Sequence, residues 1–317
     1  MTPKVSIITP LHNKGAYIAE TIASVLAQLF SDWEMIIVEN GSTDHGPDVV
    51  RSFQDSRIRL ITSHARGPGA ARNMGVQNAQ GEWILFFDAD DLMEPSHLSH
   101  LLEVADSNPH CGIVAGGWKS FVDGSQGELK VHHPLPRNHE RDALLAGALS
   151  LTPWIVHAAI VRKDLLISDL LWPEELDSCP DEDTAFWFPL ILATDVAWSL
   201  ESGAIYRLAA AYSRSSLEDL PKRFSGYEKI ISHNMAALQK SGRQIDPRAA
   251  NHLSMMYEGV YRKAVLCKNK EIASLALKKA TYWLAKSPSG SINNFIRKIF
   301  GIKAINILKK TLQKQQS

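Results

Sequence analysis

The 317-residue sequence has little cysteine, and Cys111, Cys179 and Cys267 are widely spaced and odd in number. A disulfide framework or a zinc site is therefore not expected, and a reducing cytoplasm is the compartment this usage fits. No uninterrupted apolar run approaches the ~20 residues of a membrane-spanning helix. The opening "MTPKVSIITP" has too short an apolar stretch, and no small-residue cleavage site, for a signal peptide. Acid is scarce in the last third. Residues 1–220 carry 15 Lys and Arg against 30 Asp and Glu, which leaves 19 basic and 4 acidic side chains for residues 221–317. The zero net charge thus hides a front of about −15 and a tail of about +15, as expected of two modules with different partners. The basic one would face a phosphate-rich surface or the acidic module itself. Neither G-x-G-x-x-G nor G-x-x-x-x-G-K-[ST] follows the first apolar run, which disfavours a dinucleotide fold or a P-loop.

Composition is otherwise that of a soluble globular chain with a sizeable core, and the length suits one large domain plus an appendage, or two domains. Val- and Ile-rich runs recur at residues 5–10, 34–40, 58–62 and 83–90, and such runs read as parallel strands buried on both faces. Between them, Ile18, Ile22, Val25, Leu26 and Leu29 form one stripe of an amphipathic helix, and residues 69–80 and 95–107 are similar. The alternation predicts a doubly wound, mainly parallel α/β sheet with right-handed crossovers. After a strand and turn in "CGIVAGGWKSFVDG", the pattern loosens from Asp123 to Arg141 and recovers at residues 154–166. A helix is expected over 181–194 and an extended segment over 197–209; beyond Leu220 the chain reads as helical, with breaks at Gly242, Asp246-Pro247, Ser287 to Gly290 and Gly301.

In an open α/β sheet, ligands bind outside the carboxyl ends of the strands. Here those ends are polar: Thr9-Pro10-Leu11-His12-Asn13, Glu39-Asn40-Gly41-Ser42-Thr43-Asp44 and Asp88-Ala89-Asp90-Asp91. Crowded carboxylates repel and are tolerated around a cation, and oxygen ligands suit Mg²⁺ or Mn²⁺, which leave positions open for substrate phosphates. The same acids would also serve a solvated, helix-capping turn. "RGPGAARNMG" is either a tight turn or a loop that closes over a nucleotide, with Arg66 and Arg72 pairing with phosphate. Asp181, Glu182 and Asp183 open a later helix, where they suit the helix dipole or could supply a general base.

Taken together, "VSIITPLHNKGAYIAETIASVLAQ", "WEMIIVENGSTD", "GPGAARNMGVQNAQGEWILFFDADDLMEP" and "DEDTAFWFPLILA" make residues 4–210 resemble the family 2 glycosyltransferases, inverting enzymes of GT-A fold. The resemblance implies a nucleotide diphosphate sugar as donor, most simply a UDP-sugar, and an acceptor hydroxyl on a glycan or lipid-linked substrate of bacterial surface-glycan synthesis. By it, Pro10, His12 and Asn13 border the donor nucleotide, and Glu39, with Asn40, lies against its base or ribose. Asp88-Ala89-Asp90 matches the D-x-D element, Asp90 holding Mn²⁺ or Mg²⁺ with Asp88 beside it. Asp183 is then the catalytic base, with Glu182 on the acceptor side. Where the family more often has Asp, this chain has Glu39-Asn40; Pro189 stands where many relatives have Arg, and no His follows Tyr206-Arg207.

Trp187 and Trp154 would either stack on an acceptor sugar or fill the core. His157 reads as a core histidine, and His132, His133 and His139 as surface. A sugar-phosphate nucleotidyltransferase would need a Gly-rich loop after the first strand and a phosphohydrolase an Asp motif there; the alternative left open is a nucleotide-sugar or glycan-binding module that kept the fold and lost activity, against which the presence of both Asp90 and Asp183 argues. The expected domains are residues 1–219, with a donor half to about 122 and an acceptor half over 123–219, and a basic helical region over 220–317. In that region Ile292, Phe295, Ile296, Ile299 and Phe300, interleaved with Arg297, Lys298 and Lys303, form a stripe suited to an anionic membrane surface, to the acidic domain, or to a second subunit in a homodimer. No nucleic-acid partner is expected, and a cytoplasmic chain peripheral to the membrane fits.

Overall fold

The computed structural model describes residues 2–125, 129–133, 140–208, 219–288, 297 and 301–302. The chain opens as β1 (Val5–Leu11), α1 (Ile18–Leu26), β2 (Trp33–Glu39), α2 (Gly46–Ser52), β3 (Ile58–Thr62), α3 (Pro68–Asn78) and β4 (Trp83–Phe86). The first four strands pair in parallel in the order β3-β2-β1-β4. Alternate residues of β1 serve opposite faces: Val5, Ile7 and Leu11 join α1 residues Ile18 and Ile22 in one core, while Ile8 joins Ile36, Phe86 and Ala71 in the other. Gly75 lets α3 lie on that second face, because a Cβ there would come within 2.3 Å of the Ile8 side chain.

Next come β5 (Leu92–Met93), α4 (His97–Ser107), β6 (Cys111–Val122), β7 (Lys130–His132), α5 (Arg141–Ala148), β8 (Ala159–Arg162), α6 (Asp183–Ala193) and β9 (Asp195–Leu208). Here the sheet becomes mixed. Antiparallel β8 sits between β4 and β6, β9 runs parallel to β6, and short β5 closes the edge against β9. The fourth apolar run stops earlier than its sequence suggests, since β4 ends at Phe86 and the acids lie on the turn that follows. Pro189 is inside α6 without ending it.

The helices α7 (Leu220–Lys240), α8 (Pro247–Leu266) and α9 (Lys270–Lys286) begin at Asp219, Asp246 and Asn269, whose side chains accept from Lys222 N (3.1 Å), Arg248 N (2.7 Å) and Ile272 N (3.1 Å). Ile231, Leu238, Leu253 and Tyr257 from α7 and α8 belong to the same core as Trp154, Phe186 and Trp187. The apolar interior is therefore continuous across residue 219. Most of the expected membrane-facing stripe lies outside the described residues, as does His139. Arg297, placed on that stripe by sequence, is instead buried, 2.9 Å from both the Glu258 carboxylate and Ser254 Oγ. Among the described residues no helix is long and apolar enough to cross a membrane.

Candidate active site

The carboxyl ends of β1, β2 and β4 converge, with Leu11 paired to Glu39 and Phe87 N bonded to Ile8 O at 2.9 Å. The first two loops hold each other. Asn13 adopts a left-handed φ of 52°, which Asn tolerates, and its Oδ1 accepts from Thr43 N at 2.8 Å. His12 donates Nδ1–H to Asn40 O at 2.8 Å, which leaves Nε2 to accept from Asn13 Nδ2 at 3.3 Å. Buried Asn40 ties in the segment before α3, donating to Ala65 O (2.7 Å) and accepting from Gly67 N (2.9 Å). The Glu39 carboxylate accepts from Ser42 N, and both Pro10 and Glu39 stay partly exposed.

The acidic turn is braced from three sides. Thr21 on α1 donates its hydroxyl to Ala89 O (3.0 Å) and Asp91 O (2.9 Å). From β9, Arg207 donates backbone N to Asp91 Oδ1 and Nε to Asp90 O, both at 2.8 Å, while its guanidinium binds Asp123 (2.8 Å) and Glu20 (2.6 Å). On α3, Arg72 donates Nη2 to Asp88 Oδ1 at 2.7 Å. Asp90 lies 2.6 Å from Lys14 Nζ; burial raises its pKa, opposed by the Lys14 charge and reinforced by Asp88. Asp91 is fully sunk, its pKa raised well above the carboxylate range by burial and then by the Asp90 and Asp88 charges. His157 Nδ1 is 3.4 Å away on the core side, and burial lowers that imidazole to about 3, so the pair is not a charged one at neutral pH.

Arg72 does not wait for a phosphate. It is 3% exposed, lies 4.1 Å over the Trp172 ring, and reaches Glu182 Oε1 at 3.4 Å with the guanidinium nitrogen that Asp88 does not use. One buried cation thus joins the D-x-D turn to the start of α6. The N-terminus of α3 is engaged too: Gly69 N and Ala70 N donate to the Asp177 carboxylate at 2.8 and 3.1 Å, so the "RGPG" loop meets an internal acid where a phosphate was expected. Arg66 is exposed nearby.

At the head of α6, Glu182 is buried and Asp183 is partly open at its rim. Burial, then the charges of Glu182 and Asp181, raise Asp183 to about 7. Thr152 Oγ1 donates to its Oδ1 at 2.9 Å. Trp187 has no exposed surface and meets Trp154 and Phe186 edge-on, so neither Trp187 nor Trp154 offers a ring to an acceptor sugar; both are core. His132 stacks on Trp118 and lies 2.8 Å from Ser120 Oγ. Two other hollows, about 240 Å³ beside α5 and Ile245 and about 580 Å³ beside Gln77 and Arg162, contain none of the acids of this cleft.

Sequence reasoning missed Thr21, Thr152, Asp177 and Arg207. Only Arg207 carried a signal, its place in the "YR" pair at the end of a long extended segment.

A curled, mostly parallel sheet with polar loops at its carboxyl ends, an acidic turn after β4 and an acid-headed helix across the cleft is the architecture of the GT-A fold. The model of glycosyl transferase family 2 matches residues 6–168, and the chain belongs to that family. The putative glycosyltransferase EpsH of Bacillus subtilis is 37% identical over 158 residues, 48% of this chain and 46% of EpsH, so the match spans about half of that relative. Among solved structures, TarS 1–349 of S. aureus in complex with UDP-GlcNAc superposes with a TM-score of 0.68 at 20% identity, covering 90% of this chain and 82% of that one. The mannosyltransferase PcManGT from Pyrobaculum calidifontis, in complex with GDP-Man and Mn²⁺, gives 0.51 at 18% identity over 90% and 86% of the two chains. At these identities the structures speak for the fold.

Proposed function

We propose that the protein transfers a sugar, with inversion, from a nucleotide diphosphate donor to an acceptor hydroxyl. The observation that carries this reading is the Arg72 bridge, which holds donor-side Asp88 and acceptor-side Glu182 on one guanidinium and so brings the turn and the α6 head into one cleft. Asp183 accepts the acceptor's proton as the hydroxyl oxygen attacks the anomeric carbon and the bond to the diphosphate breaks on the opposite face. A carboxylate poised near neutrality suits that step, because a base works best with a pKa near the working pH.

The donor set of the turn fits a hard divalent ion. Asp88 and Asp90 supply oxygens, and no cluster of three His, Cys, Asp or Glu that could enclose a metal occurs among the described residues. One or two carboxylates are what Mg²⁺ or Mn²⁺ commonly takes from a protein when substrate phosphates complete its shell. Held by Asp90 and Asp88, the ion would neutralise charge on the leaving nucleoside diphosphate. Pro10, His12, Asn13, Glu39 and Asn40 line the nucleotide side. A UDP-sugar is the proposed donor, and a glycan or lipid-linked acceptor of bacterial surface-polysaccharide synthesis the proposed partner.

The test is a thermal-shift panel of nucleoside diphosphates and nucleotide sugars with and without Mn²⁺. One nucleotide should raise Tm in a metal-dependent way, by about 2.7 kcal/mol of stabilisation at a hundredfold excess over Kd, and Asp90→Ala should abolish the shift. No stabilisation by any member of the panel would overturn the reading.

A further inference from the structure

Thr152 lies in the segment between α5 and β8, and its hydroxyl meets two groups at the head of α6: Asp183 Oδ1 at 2.9 Å and Thr184 Oγ1 at 2.7 Å. The directions of these bonds follow from chemistry. An ionised carboxylate can only accept, so the Thr152 proton goes to Asp183 and buried Thr184 donates in turn to the Thr152 oxygen. Thr184 N also donates to Asp183 Oδ1, at 3.0 Å. Both donors therefore fall on the same oxygen, and among the described residues no hydrogen bond reaches Oδ2, the oxygen that would meet the acceptor hydroxyl. The two segments are held in register from a third side. Asn234 on α7, with no exposed surface, donates Nδ2 to Leu149 O at 3.1 Å and to Thr184 O at 3.4 Å.

We propose, building on the glycosyl-transfer reading above, that Thr152 is a positioning residue for the base: its hydroxyl fixes the Asp183 rotamer and favours the ionised carboxylate. The charged groups around Asp183 otherwise divide. Glu182 and Asp181 beside it on the α6 head oppose ionisation, and Arg72 from α3 favours it. Arg223 from α7 is 3.3 Å from Asp181, and Asp177 on the preceding loop is electrostatically linked to Glu182 and Arg72. A neutral donor aimed at Oδ1 is thus a direct support for the charged form, and a carboxylate in a mostly acidic neighbourhood has need of one.

The test titrates Asp183 itself in the full-length protein, by carboxyl ¹³C NMR of aspartate-labelled enzyme with the resonance assigned from Asp183→Asn. Thr152→Val is close to isosteric and removes the hydroxyl, both the donor to Asp183 and the acceptor of the Thr184 bond; it should raise the Asp183 midpoint by about one pH unit, the order of one lost hydrogen bond to a charged group. Thr152→Ser restores the donor and should return the midpoint to its original value. Thr152→Ala, with unchanged far-UV circular dichroism, serves in place of the valine variant if that one misfolds. A midpoint unmoved in the folded donor-less variant, or moved equally by Thr152→Ser, overturns the inference. UDP release from UDP-GlcNAc with Mn²⁺, compared between wild type and Asp183→Asn, separately tests whether Asp183 is the base, so the two claims fail independently.

Discussion

In the proposed mechanism, Asp183 is useful for the same reason that it is a burden. Its folded pKa of about 7 lies above the ordinary 3.8, so the fold favours the protonated carboxyl. Stability from this group is full below the unfolded value and declines as pH rises through the folded one. Asp183→Asn, which cannot ionise, should therefore raise Tm more at pH 8 than at pH 5, a difference that scanning calorimetry measures directly. Catalysis runs the other way: kcat/KM should rise with pH through about 7 as the base loses its proton, and Asp183→Ala should cost ~10²–10⁴ in rate while donor binding persists. Near-normal transfer by that variant would remove Asp183 from its role.

At the scale of elements, α3 shows how packing overrules propensity. Gly75 sits in a helix where Ala would be preferred by up to about 1 kcal/mol, yet a Cβ there would press on Ile8 at 2.3 Å. Gly75→Ala should lower stability by roughly 1–3 kcal/mol in urea titration, because β1 is central and cannot yield. The strands of the parallel half, the helices between them and the acids after β4 were legible in the sequence, since apolar periodicity and turn chemistry are local signals. The braces of the site were not. Arg207 reaches Asp90 across 117 positions, Asp177 reaches Gly69 across 108, and Thr152 reaches Asp183 across 31. A single threonine or arginine has no periodicity to announce such a partner. Trp187 was ambiguous for a related reason: an aromatic ring looks the same in sequence whether a sugar or Trp154 lies against it.

For the molecule as a whole, the shared core of α6, α7 and α8 argues against independent halves. Separating the basic helical region would uncover Tyr257, Leu253 and Ile231 on one side and Trp187 and Phe188 on the other. The full chain should therefore unfold as one cooperative calorimetric transition, whereas a product ending at residue 219 should bind a hydrophobic dye and lose that transition. The acid that occupies the head of α3 bears on the order in which the chain acquires its shape during synthesis. Asp177 caps α3, and the Asn73 side-chain amide donates to Trp172 O and accepts from Trp172 N, each at 2.9 Å. Chains emerge from the ribosome N-terminus first at ~5–20 residues per second. The strands and helices up to α3 thus leave the exit tunnel several seconds before the acid that finishes the third helix, and they must wait, with one helix uncapped, for residues 172–177 to arrive.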